Sequence, residues 1–147
     1  MRSFVIDASV AVKWYIPEPL SEAAVQYLQL YKKDKARLLA PDLLTIEVGN
    51  TLWKKMRTSE ITGDDARAIL HALTDYCPLK LTPSCELMPA ALELAIAMGV
   101  TVYDSVYIAL AIAASAMLVT ADKEMVKLVD KSLFSDQIIL LNDNIQI

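Results

Sequence analysis

The chain has 147 residues, of which 55% are hydrophobic, with only 3 Gly and 6 Pro and a net charge of −4. That length and composition describe one domain, spanning 1–147, with a full hydrophobic core, and they exclude a linker or a disordered tail. The acidic balance excludes a general polyanion binder, so any role on nucleic acid needs a local basic face or a bound cation. Cys77 and Cys85 are the only cysteines and His71 the only histidine. This argues against a zinc site and reads as two reduced core thiols of a cytoplasmic protein. No membrane role is expected. Asp7 interrupts the apolar N-terminal run, and the stretch from Val106 to Val119 is too short to span a bilayer.

In chain order, Phe4-Val5-Ile6 reads as a short buried strand. After Asp7 a short helix runs until Pro17 and Pro19 stop it. Ser21 is the expected N-cap of an amphipathic helix reaching about Lys33. "RLLA" gives a second strand, and a helix is expected from Pro41 to Arg57. At 100° per residue, Glu47, Asn50, Thr51 and Lys54 share one polar stripe of that helix. Thr62 caps the next helix. "PLKLTP" is a third strand. Ser84 to Met98 is a long helix ended by Gly99. Tyr103 to Ser115 is a nearly all-apolar helix that must be buried on most sides. "AMLVT" is a fourth strand, "KEMVKLVDK" a short helix and "QIILL" a fifth strand. Apolar strands alternating with helices predict an α/β fold, a parallel sheet of about five strands between two helical layers.

Within this pattern three acids are out of place. Asp7 in "FVIDASVAV", Asp104 in "TVYDSVYIALA" and Asp122 in "MLVTADKEM" each sit at the lip of an apolar run. A buried carboxylate without a partner costs several kcal/mol, roughly, so something must meet each one. Asp7 and Asp122 fall at strand C-termini, the edge where open α/β sheets bind ligands. Glu47 lies within two turns of the helix after the second strand. One fold hypothesis therefore brings Asp7 and Asp122 to one crevice, with Glu47 and Asp104 within reach.

Each acid also has a plainer reading. Asp7, Asp104 and Asp122 would serve as helix N-caps, and Glu47 as a solvated helix residue. Caps, however, do not call for four carboxylates on one edge. Converging carboxylates repel one another, and either a shared proton or a hard divalent cation such as Mg²⁺ or Mn²⁺ relieves this. Such a site suits phosphodiester hydrolysis. The other catalytic kits are absent, with no GxSxG, Walker A, GxGxxG or HExxH pattern.

Taken together, "VIDASVAVKWYIPE", "APDLLTIEVGNTLWKK", "TVYDSVYIALA" and "LVTADKEM", in that order and spacing, resemble the PIN-domain family. Among its members they look most like the VapC-type ribonuclease toxins of toxin–antitoxin pairs. The resemblance covers nearly the whole chain. It implies a three-layer fold around a parallel sheet and an RNA-cleaving site in which acids bind Mg²⁺ or Mn²⁺. Carried over motif by motif, the acids are Asp7, Glu47, Asp104 and Asp122. Ser9 and Thr120 match hydroxyls that support them, and Asn50 would orient substrate or a carboxylate. Asp7 and Asp104 are the expected direct metal contacts, with Glu47 and Asp122 holding waters or a second ion. The resemblance also implies a small cognate antitoxin and a homodimer. Lys13, Lys54, Lys55 and Arg57 are candidate phosphate contacts on the rim.

Two other classes compete. An aspartyl phosphatase would want a second Asp two residues after the first, where Ser9 stands. A receiver-like binding module would need an acceptor Asp after the third strand and a Lys after the fifth. "PLKLTPS" and "QIILLND" offer neither.

Overall fold

The computed structural model describes residues 1–142; positions 143–147 of the expected 1–147 unit lie outside the described residues. Five strands form one all-parallel sheet, β1 (Arg2–Ile6), β2 (Ala36–Pro41), β3 (Leu79–Thr82), β4 (Met117–Thr120) and β5 (Ile138–Leu140), in the order β3-β2-β1-β4-β5. Seven helices connect them among the described residues. These are α1 (Ala8–Ala11), α2 (Ser21–Lys32), α3 (Leu43–Arg57), α4 (Gly63–Asp75), α5 (Ser84–Met98), α6 (Val102–Ala113) and α7 (Lys123–Val129).

The α/β reading therefore holds, and the physical reasons are visible in the strands. Val5, Ile6, Leu118 and Val119 are all buried, as expected for strands covered on both faces. Phe4 meets the ring of Tyr27 from α2 edge-on at 5.1 Å, which pins that helix to the sheet. In α6, every residue from Ser105 to Ala111 is buried, so the apolar helix fills the interior as its composition requires.

Strand order opens a gap at the C-terminal edge of the sheet. From β1 the chain steps outward to β2 and β3, then returns to the other side of β1 for β4 and β5. Right-handed crossovers put the first two connections on one face and the last two on the other. Between β1 and β4 the direction reverses, and the strand C-termini there open onto a gap no crossover covers. Ile6 pairs with Val119, so Asp7 and Thr120 leave the sheet side by side, and the Asp7 N–H donates to the Val119 carbonyl at 3.0 Å.

Several boundaries differ from expectation. Pro41 ends β2 rather than opening α3, which starts at Leu43. The reason is an unforeseen side-chain bridge. The Asp42 carboxylate accepts from the Ser84 hydroxyl at 2.6 Å and from its N–H at 2.9 Å, clamping the start of α5 beside the start of α3. Ser21 is the first residue of α2 and not its cap. Its hydroxyl instead accepts from the Glu18 N–H at 3.0 Å, while Leu20 takes the cap position at φ 70°. Thr62 caps α4 as expected, in a reciprocal box with Asp65. Gly99 ends α5 at φ 70°, where its lack of a Cβ is required. The two thiols are free, but Cys85 is exposed and Cys77 half-buried, so the core reading fails for Cys85. No single helix among the described residues is long and apolar enough to cross a membrane.

Candidate active site

The acids converge. Asp7, Glu47, Asp104 and Asp122 line one crevice of about 560 Å³ at the C-terminal edge of the sheet, over the gap between β1 and β4. Each arrives by a different route. Asp7 follows the last residue of β1, and Asp122 lies two residues beyond β4. Asp104 sits in the first turn of α6, whose N-cap is Thr101; that hydroxyl accepts the Asp104 N–H at 3.1 Å. Glu47 projects from the polar stripe of α3 expected from its periodicity, and Asn50, Thr51 and Lys54 line the crevice with it.

Asp7 is the best anchored. It is 7% exposed, and its Oδ2 accepts from the Ser9 hydroxyl at 2.6 Å and the Thr120 hydroxyl at 2.8 Å. Those hydroxyls are themselves held. Ser9 Oγ accepts the Ala121 N–H at 3.0 Å, and Thr120 Oγ1 accepts the Asp122 N–H at 3.0 Å. The carboxylate is thus fixed by a relay that joins the ends of β1 and β4, and Ser9 and Thr120 stand where the motifs placed them. Asp7 stands at the N-cap position of α1 but makes no side-chain cap bond there, its Oδ2 going to Ser9 and Thr120 instead. For Asp122 the plainer reading holds, since Oδ1 accepts from the Glu124 and Met125 N–H groups at 2.9 and 3.2 Å. It caps α7 while facing the crevice.

Tyr107 is the residue that sequence reasoning missed. It is 1% exposed, and its hydroxyl donates to Glu47 Oε1 at 2.7 Å, tying α6 to α3 across the mouth of the sheet. One signal was available, because a phenol in a buried aliphatic helix needs a partner, and Tyr107 lies one turn after Asp104.

The electrostatics reflect this crowding. Burial holds the Asp104 carboxyl up at about 6, with the charges of Asp7 and Asp122 adding to it. Burial raises Asp7 as well, against the pull of its hydrogen bonds from Ser9 and Thr120. Glu47 is raised by burial, opposed by the Tyr107 hydroxyl and reinforced by Asp7 and Asp104. The Tyr107 phenol is pushed up by burial and by the charges of Asp7 and Glu47, so it stays a donor. None of the four acids enters an ion pair among the described residues.

Of the expected rim cations, Lys13 and Lys55 are engaged elsewhere, both on Glu18 at 3.0 and 3.2 Å. Arg57 lies over the Trp53 ring at 4.8 Å. Only Lys54 lines the crevice.

The donor set is all oxygen and strongly anionic, which suits a hard divalent cation and not zinc. No three acids among the described residues stand close enough to form a ready cage.

The PIN domain family model matches residues 4–131. The chain belongs to the PIN-domain family. Within it, this PIN domain is of the VapC type. It is 35% identical over 122 residues to Ribonuclease VapC3 of Pyrobaculum aerophilum, covering 82% of this chain and 90% of that one. It is 27% identical over 115 residues to Exonuclease VapC9 of the same organism, covering 78% of this chain and 84% of the other. The crystal structure of PAE2754 from Pyrobaculum aerophilum superposes on this PIN domain with a TM-score of 0.65, at 24% identity, over 95% of this chain and 90% of that one.

Proposed function

We propose that this PIN domain is a ribonuclease, the toxin of a toxin–antitoxin pair, which cleaves RNA with Mg²⁺ or Mn²⁺ held by Asp7, Glu47, Asp104 and Asp122. The observation that carries the metal is the crevice itself. Four carboxylates from separate stretches of chain line it without an ionic partner among the described residues, and Asp7, Glu47 and Asp104 are held above their ordinary range. A hard cation relieves that repulsion. The ribonuclease reading rests on the VapC relative with which the chain shares most of its length.

When bound, the ion supplies Lewis acidity, steadying negative charge on the phosphodiester and easing ionisation of the attacking water. The rest falls to the chain. Asp7 and Asp104 hold the ion, Asp7 being locked in place by Ser9 and Thr120. Glu47, fixed by the Tyr107 hydroxyl and with its pKa raised by burial, would orient the water and take its proton. Asp122, which caps α7, would hold a metal water or a second ion. Asn50 and Lys54 orient the substrate phosphate from α3.

The test is cleavage of RNA by the purified protein with Mg²⁺ or Mn²⁺. Loss of cleavage in excess EDTA supports the proposal, and cleavage that persists without divalent metal contradicts it. A circular RNA substrate separates internal cutting, which this reading expects, from the exonuclease activity for which one relative is named.

Inhibition by a small antitoxin belongs to the same proposal. An anionic crevice without an ionic partner suits an Arg or Lys inserted by a partner. Co-purification from the native operon should give a tight complex with suppressed nuclease activity. A homodimer, also implied by the resemblance, is read by sedimentation.

A further inference from the structure

An acidic chain needs a local basic face to hold a long RNA, and the crevice rim does not provide one. There Lys13 and Lys55 are held by Glu18, and Arg57 lies on Trp53. The basic face stands at the opposite, N-terminal edge of the sheet, where β1 and β2 begin. Residues 31–37 read "YKKDKAR", with Asp34 the one acid among Lys32, Lys33, Lys35 and Arg37. Arg2 opens β1 and pairs with Ala36, and Ser3 pairs with Arg37, so the register brings Arg2 to the same edge. Arg2 lies over the Phe4 ring at 5.0 Å, on the face that carries α2. Alternation puts Arg37 on the other face, so the cations wrap around the edge. All five are exposed, and none forms an ion pair among the described residues. Arg67 and Lys127, by contrast, each hold an acid.

A helix dipole favours a cation in the last turn, which suits Lys32 and the cap residue Lys33. It does not explain Lys35, Arg37 or Arg2, which lie outside the helix. The backbone that presents the cluster is fixed. The Lys33 N–H donates to the Gln29 carbonyl at 3.1 Å and the Lys35 N–H to the Leu30 carbonyl at 2.9 Å, with Asp34 at φ 54° between them. From Lys33 and Lys35 a cleft of about 500 Å³ runs back along α2, past Gln29 and Gln26, toward Ser21 and Glu22. Lysine ammonium groups and glutamine amides are what grip the phosphates and sugars of a nucleic acid without reading its sequence. Tyr31, 40% exposed and in no ring–ring contact among the described residues, offers a base a flat face next to Lys32. An acidic peptide would use the cations but has no base to lay on that ring.

We propose that this N-terminal edge is an RNA-docking surface separate from the crevice, where Arg2, Lys32, Lys33, Lys35 and Arg37 hold phosphates of the bound RNA far from the cut. β1 separates the two places, with Arg2 at one end and Asp7 just past the other, roughly 17 Å apart along the strand. The surface supplies the affinity that an anionic crevice cannot, and it needs no divalent ion. The proposal rests on the ribonuclease reading for the choice of RNA as the polyanion.

The experiment uses the whole chain and a fluorescently labelled unpaired RNA of about thirty nucleotides, long beside the roughly 4–16 that single-strand sites cover. Binding is read by anisotropy in EDTA over a salt series, and cleavage separately in Mg²⁺. The double variant Lys33→Gln, Lys35→Gln should lower the slope of log affinity against log salt by about 1.4, about 0.7 for each cation. Its KM should rise on the order of tenfold at low salt with kcat unchanged. Lys131→Gln, which removes an exposed charge between α7 and β5, should leave both at wild-type values. Tyr31→Leu should weaken binding without changing the slope, and Tyr31→Phe should restore it.

A wild-type slope and KM in the double variant would overturn the docking surface. An equal loss in Lys131→Gln would overturn it too, since net charge alone would then govern binding. Displacement of the RNA by poly-glutamate at matched charge would overturn the assignment to RNA. If no RNA is cut under any metal condition while the double variant still loses binding in EDTA, the nuclease reading falls and the docking surface stands.

Discussion

Asp7 accepts from Ser9 and Thr120 through Oδ2, which holds the carboxylate in place with no cation paired to it among the described residues. Asp7→Asn and Asp104→Asn should each cut RNA cleavage about a hundredfold or more with an unchanged far-UV spectrum. Wild-type rates in either would remove that residue from the mechanism. Tyr107 acts one step back, through Glu47. Tyr107→Phe keeps the packing but frees the Glu47 carboxylate, so kcat should fall about tenfold with KM held, as when a supporting partner is lost. An unchanged kcat would reduce the tyrosine to packing. Asp7, Asp104 and Asp122 were legible because each broke an apolar pattern, and Ser9 and Thr120 because they adjoin those breaks, whereas Glu47 on a polar helix stripe was legible only through its motif. Tyr107 was missed because an aromatic in an apolar helix breaks no pattern, and only its phenol's need for a partner signals it. The capture of Lys13 and Lys55 by Glu18 was equally invisible. It joins α3 to the loop before α2, a contact that periodicity does not encode.

Helices were readable where an end is made locally. Thr62 with Asp65 and Gly99 are examples, because a cap or a left-handed residue acts within a few positions. The starts of α2 and α3 were misplaced because a distant partner or an unusual backbone decides them, Ser84 for Asp42 and a left-handed Leu20 for Ser21. α7 gives a test of double duty. Asp122 caps it through Oδ1, so Asp122→Ala should cost about 1 kcal/mol of stability whereas Asp122→Asn should cost a few tenths. If the carboxylate also serves the crevice, both variants should lose cleavage alike. Full activity in Asp122→Asn would leave Asp122 as a cap only.

The sheet as a whole makes the crevice, because its order reverses between β1 and β4 and leaves their ends uncovered. Strand count and parallel pairing were legible in apolar runs separated by helices, but the order β3-β2-β1-β4-β5 rests on long-range pairing that no local pattern records. The convergence of acids at that gap leaves a mark on stability. Asp104 is raised from 3.8 to about 6 in the fold. Asp7 and Glu47 move the same way. A carboxyl raised on folding contributes stability that is complete below its unfolded value and is lost as pH rises through its folded value. Metal-free protein should therefore weaken between about pH 4 and 7, by about 1–2 kcal/mol for Asp104 after solvent screening. Urea unfolding in EDTA across that range reads it, and Asp104→Asn should flatten the slope. Thermal melts of wild type, Asp7→Asn and Asp104→Asn, each in EDTA and in Mg²⁺, then ask whether the acids form a single cation site. In EDTA the two variants should melt above wild type, freed of like-charge repulsion. Mg²⁺ at a hundredfold excess over its dissociation constant should stabilise wild type by about 2.7 kcal/mol and the variants much less, so that the order narrows or reverses. If all three proteins melt together in EDTA and respond alike to Mg²⁺, the acids do not act on one ion and the shared metal crevice is wrong.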